Sequence, residues 1–128
     1  MIESGPRRPL PRAVGARAEE LVAAHLAASG LVIVAVNVRV GRLEIDVIAR
    51  DAGVIVIVEV RARGPGAWVR PLDSVDAKKR ERLRRAGERL WRERFADDAS
   101  VERMRFDVAA VELVPGGEPR IEIVKAAF

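Results

Sequence analysis

A chain of 128 residues, 49% hydrophobic and 33% charged, suffices for one folded domain with a real core and leaves little room for two. It has no cysteine, which excludes disulfides, thiolate metal sites and a cysteine nucleophile and fits a reducing, cytoplasmic setting; nor does any apolar run approach the length of a bilayer span. The net charge of +4 is unevenly placed, because nine Lys or Arg against four acids fall between Val75 and Phe95 while the remainder is close to neutral, and a concentrated basic segment points to a polyanionic partner such as nucleic acid.

Residues 1–13 are rich in Pro and Arg and lack an apolar stretch, so they are expected to form a disordered basic tail and not a secretory signal. The folded domain is then expected over residues 14–128. Val14, Ala18, Leu21, Val22 and Leu26 follow the spacing of one buried helical face, which predicts a helix over Val14–Ser29 stopped by Gly30. Three β-rich runs follow: Leu31–Val40, Leu43–Arg50 after a turn at Gly41-Arg42, and Val54–Arg63 after the turn signal Asp51-Ala52-Gly53. The last of these is apolar at nearly every position, as expected of a central strand covered on both faces. Gly64-Pro65-Gly66 opens a loop to Asp73, and Asp73 or Ser74 is expected to cap a second helix over Val75–Phe95. Strands over Arg103–Val114 and Arg120–Lys125, joined by Pro115-Gly116-Gly117, complete the order α-β-β-β-α-β-β. That order predicts an α/β fold, a mixed five-stranded sheet with a helix on each face.

Glu59 interrupts the most apolar of these strands. An unpaired buried carboxylate costs several kcal/mol, so it persists where it is paired or binds a cation. Side chains alternate along a strand, which puts Glu59, Arg61 and Arg63 on one face and Val58 and Val60 on the other. In Glu44-Ile45-Asp46 both acids share a face. A hairpin centred on Ala52-Gly53 brings Asp46 beside Glu59, and two acids so placed call for a positive charge between them: a divalent metal or Arg61. A buried ion-pair network without chemistry fits the same residues. Lys79 falls on the core-facing stripe Val75, Lys79, Leu83, Ala86, Leu90 and is expected to reach back to the sheet or to snorkel at its edge. Glu19 borders the apolar stripe of the first helix, whereas the single histidine, His25, reads as a packing or partner-binding residue.

Taken together and in order, Glu19, Leu26, Gly30, Asn37, Arg39, Glu44-Ile45-Asp46, Val58-Glu59-Val60, Arg63, Lys79, Arg82-Leu83, Arg105-Phe106-Asp107-Val108 and Ala127-Phe128 resemble the YraN family from about Gly15 to the end. The resemblance implies a restriction-endonuclease-like fold and membership of the PD-(D/E)xK nuclease superfamily. Carried over by position, it implies Asp46, Glu59 and Arg61 as catalytic residues and Asp46 and Glu59, with Glu19 as an additional acid, as ligands of Mg²⁺ or Mn²⁺; Glu44 is expected to help hold the ion. It departs from the family pattern in Arg61, where that pattern has lysine, and in Leu43 and Ala18, where it has glycine. Arginine cannot be deprotonated in a protein and cannot act as a base, though it can stabilise charge on a phosphate. The expected activity is therefore a metal-dependent endonuclease acting on DNA more than RNA, selective for structure and not sequence. The alternative is a catalytically degenerate nucleic-acid-binding module, with a protein-interaction domain as a third reading. The residues expected to meet nucleic acid are Lys78, Lys79, Arg82 and Arg85 of the basic helix, with Arg39 and Arg63. A homodimer is compatible with this reading, although no segment marks an interface.

Overall fold

The computed structural model describes residues 12–64, 66 and 70–128. The expected basic tail, up to residue 11, and most of the loop that follows Gly64 lie outside those residues. The elements are α1 (Arg12–Ala28), β1 (Val32–Val40), β2 (Leu43–Asp51), β3 (Val54–Arg63), a 3₁₀ turn (Pro71–Ser74), α2 (Ala77–Leu90), a π turn (Trp91–Phe95), β4 (Arg103–Glu112) and β5 (Arg120–Val124). They form one five-stranded sheet in the order β1-β2-β3-β4-β5. β1, β2 and β3 make an antiparallel meander, α2 carries the chain across to a parallel β4, and β5 returns antiparallel. This is the expected α/β order with a mixed sheet.

The continuous apolar run of β3 is explained by cover on both faces. Val56 and Val58 pack with Ala18, Val22 and Leu26 of α1, while Ile55 and Ile57 pack with Ala86 and Leu90 of α2. α1 starts at Arg12, two residues before the expected Val14. The cap of α2 is Asp76 and not the expected Asp73 or Ser74: its carboxylate accepts from the Lys79 N–H at 2.8 Å. The reason is Val75, which is extended (φ −118°, ψ 104°) so that its side chain enters the core, and helical winding starts only after it. The expected end at Phe95 is reached, but the last five residues are wound as a π turn.

β2 carries a local irregularity. Ile45 and Ile48 both pack on the α2 side although they are three residues apart, while Val47 and Ala49 pack on the α1 side. Regular alternation would put Ile45 and Ile48 on opposite faces, so the strand changes phase around Asp46. The β2–β3 ladder stops at the same point, its last pair being Val47 with Val58. Beyond it the Val60 N–H donates to Asp46 Oδ2 at 2.8 Å, a side chain standing in for the strand backbone.

The family-like segments Arg105–Val108 and Ala127-Phe128 meet in space. Ala127 N–H donates to Phe106 O at 2.7 Å, the Phe106 and Phe128 rings stack with centroids 5.2 Å apart, and buried Asp107 accepts from Ala126 N–H at 2.9 Å. Phe106 also lies against Gly87, where an added Cβ would come within 2.6 Å of Phe106 Cζ. Gly to Ala inside a helix normally gains up to about 1 kcal/mol. Here the sign is expected to reverse, because overpacking a core costs roughly 1–3 kcal/mol. A denaturant midpoint for Gly87→Ala at or above that of the parent protein would show that the ring yields freely. Among the described residues no helix is long and apolar enough to cross a membrane.

Candidate functional site

Two elements bring three acids together where the ladder opens. Glu19 comes from α1, one position after core residue Ala18, and Glu44 and Asp46 come from β2. One carboxylate oxygen from each lies within 4.8 Å of the others. Ile45 between the two β2 acids is buried on the α2 side, as the alternation predicted. At such separations two full charges repel by about 3 kcal/mol at an effective dielectric of ~20. None of the three acids forms an ion pair with a Lys or Arg among the described residues. The crowding shows in Glu19, whose pKa is raised by its burial first and then by Asp46 and Glu44.

Asn37 moderates this. It sits on β1 between the pairs Val36–Val47 and Val38–Ile45, in a left-handed conformation (φ 51°) that asparagine tolerates better than most residues. Its side-chain amide favours the charged form of Glu19. The sequence placed Asn37 only within a family pattern and gave it no role; the signal was there, as the one polar residue from Leu31 through Val38.

Glu59 stands beside the acid cluster and is not one of its three members. It is 4% exposed, with Lys79 Nζ and Arg61 Nη2 each 3.5 Å from Oε2. Two nearby cations would ordinarily lower its pKa. Burial and the neighbouring Asp46 carboxylate outweigh them and push it up to about 8. Asp46 is therefore the hub, interacting electrostatically with Glu19 on one side and Glu59 on the other while anchored to the Val60 backbone. Lys79 does reach back to the sheet, as its stripe position suggested.

The remaining sequence-predicted residues are spread around this centre. Arg39 is exposed on β1 and opposite Glu44 in the ladder. Lys78, Arg82 and Arg85 are exposed on α2. Arg63 turns toward β5, where its guanidinium pairs with Glu122 at 3.5 Å.

The donor set suits a hard divalent cation, since it offers only oxygen ligands of high negative charge density with no soft donor nearby. Comparison with known proteins gives a family and no activity. A family model described as "Uncharacterised protein family UPF0102" matches residues 18–111, a stretch that holds Glu19, Glu44, Asp46, Glu59, Arg61 and Lys79. A UPF0102 protein of Sorangium cellulosum is 66% identical over 117 residues, 91% of this chain and 81% of the relative. UPF0102 proteins of Nocardia farcinica and Symbiobacterium thermophilum are each 40% identical, covering 91% and 93% of this chain and 90% and 98% of their own lengths.

Proposed function

This chain belongs to the uncharacterised protein family UPF0102, the YraN family, and from that premise we propose that it is a metal-dependent endonuclease hydrolysing phosphodiester bonds in DNA on a restriction-endonuclease-like fold. The observation that carries the reading is the convergence of Glu19, Glu44 and Asp46 on one point, with no Lys or Arg ion-paired to them among the described residues. In the proposed site these acids hold Mg²⁺ or Mn²⁺, with Glu59 joining through its place beside Asp46. A divalent ion there supplies Lewis-acid stabilisation of phosphate charge and lowers the pKa of water.

The chain's own residues supply the rest. Arg61 has a buried Nε with no hydrogen-bond partner, and a buried unsatisfied donor is costly unless a ligand completes it. A phosphate oxygen is the acceptor we assign to it. Lys79 brings an ammonium to Glu59 from α2 at the same distance as Arg61 does from β3, so a lysine is present at the site although position 61 lacks one. The basic face of α2 holds the polyanion, and since no element suggests base-edge reading, selectivity is assigned to DNA structure.

The test is incubation of the purified protein with labelled linear duplex, single-stranded and branched DNA, in Mg²⁺ or Mn²⁺ and in EDTA. Metal-dependent cutting that Glu59→Ala abolishes is the expected result, with branched DNA cut in preference to linear duplex. A second reading rests on Arg61: a guanidinium cannot take a proton, and a degenerate site would bind DNA without cutting it until Arg61→Lys restores activity. Binding without cutting in both proteins would remove the nuclease altogether.

A further inference from the structure

A groove runs between the β1–β2 turn and α2, on the α2 side of the sheet. Its walls are four arginines: Arg42 from the turn, and Arg82, Arg85 and Arg89 from α2. Its floor includes Leu43 and Ala86, and its volume is about 480 Å³. The three helical arginines are spaced three and four residues apart, so they form one stripe on one face. Stacked like charges at that spacing destabilise a helix. Glu81 and Glu93 offset part of this through exposed pairs with Arg85 (3.1 Å) and Arg89 (2.9 Å), while Arg82 and Arg42 have no acidic partner within pairing distance among the described residues. The turn is shaped to fit the helix. Arg89 Nη1 lies 3.3 Å from where a Cβ on Gly41 would stand, and Gly41 itself is left-handed (φ 61°), so glycine serves both the turn and the close approach of the guanidinium.

We propose that this groove, on the α2 side of the sheet, is a track for a nucleic-acid sugar–phosphate backbone, with Arg42 and Arg89 closing it from opposite walls. The proposal rests on the nuclease reading for its substrate, and it adds a binding path and two residues to that reading. The argument for this occupant is charge complementarity in a fixed geometry. Arg82 to Arg89 spans roughly 10 Å of helix, enough for two to three successive phosphates at ~3.4 Å of axial rise per strand. Guanidinium groups present planar paired donors that match phosphate oxygens. The apolar floor suits the deoxyribose faces between phosphates.

The test is fluorescence anisotropy of a labelled duplex in EDTA, so that no cutting intervenes, across a salt series. The Arg42→Ala/Arg89→Ala double variant is compared with Arg103→Ala/Arg120→Ala, which removes the same charge from the far end of β4 and from β5. Two lost phosphate contacts are expected to weaken binding roughly ten- to thirtyfold near physiological salt and to reduce the slope of log K against log salt by about two. The control pair is expected to change neither, and thermal melting of both variants should match that of the parent protein. Equal binding by the two double variants would overturn the groove even if the parent protein cuts DNA. Displacement of the duplex by polyglutamate at equal charge concentration would overturn it too, by reassigning the groove to an acidic protein. Conversely, groove-dependent binding without any metal-dependent cutting would sink the nuclease and leave the track standing.

Discussion

Asp46→Asn is expected to abolish metal-dependent cleavage while leaving the fold in place. The substitution keeps the size of the side chain and an oxygen that can accept from the Val60 N–H, so the stitch that replaces the β2–β3 ladder survives. It removes the charge shared by both halves of the site, the one that raises Glu19 and raises Glu59. Stability should hold or rise slightly, because a member of a repelling group of acids has become neutral. Divalent affinity should fall roughly a hundredfold or more, since even the outer partners of a metal site cost ten- to a hundredfold when lost. Titration calorimetry with Mn²⁺ on the parent and variant proteins reads the loss directly. Unchanged affinity would remove Asp46 from the ligand set, and an unfolded variant would show that its role is structural.

The second large effect is a pH dependence set by Glu59. Its folded pKa of about 8 stands above the ordinary value of 4.5. The folded protein therefore holds a proton that the unfolded chain releases, and the contribution to stability is full below about pH 4.5 and lost as pH rises toward 8. Each pH unit between those two values corresponds to about 1.4 kcal/mol, so the metal-free protein should lose about 2 to 5 kcal/mol across that window. Glu19, also raised, acts in the same direction. Asp98 acts oppositely, because its hydrogen bonds with Ser100 lower its pKa below 3.8, but that falls outside the window. Urea midpoints from pH 5 to pH 9 for the parent protein and Glu59→Gln provide the comparison: the parent should decline clearly and the variant decline less. A parent protein whose stability is flat or rises would mean that Lys79 and Arg61 win over burial. Metal affinity should run the other way and strengthen with pH, because a cation competes with the proton for the carboxylates.

Much of this was legible in the sequence because it is governed by periodicity. The apolar interruption at Glu59, the shared face of Glu44 and Asp46, and the stripe that aims Lys79 at the sheet follow from repeats of 2 and 3.6 residues, and the structure shows all three. The cap of α2 was misplaced because Asp73, Ser74 and Asp76 are all good caps by type, and only the burial of Val75 decides among them. The separation of Glu59 from the three-acid group was not legible, because it depends on a phase change in β2 that no local pattern announces. Arg42 and Arg89 were hidden for a related reason: they lie far apart in the chain, and only the seating of α2 against the β1–β2 turn unites them.

The irregularity of β2 has a consequence for how the chain tolerates length changes. Deleting one residue between Ile45 and Ile48 would yield a strand of more regular alternation, one that pairs with its neighbours at least as well by ordinary sheet rules. Such a shortened strand could seat Ile45 and Ile48 correctly only by giving up the offset that lets Asp46 replace a rung of the ladder. The better-formed sheet would then be the one that lacks the Asp46 rung, and the irregularity in the middle of β2 is a position where sequence length, more than sequence identity, sets where Asp46 stands.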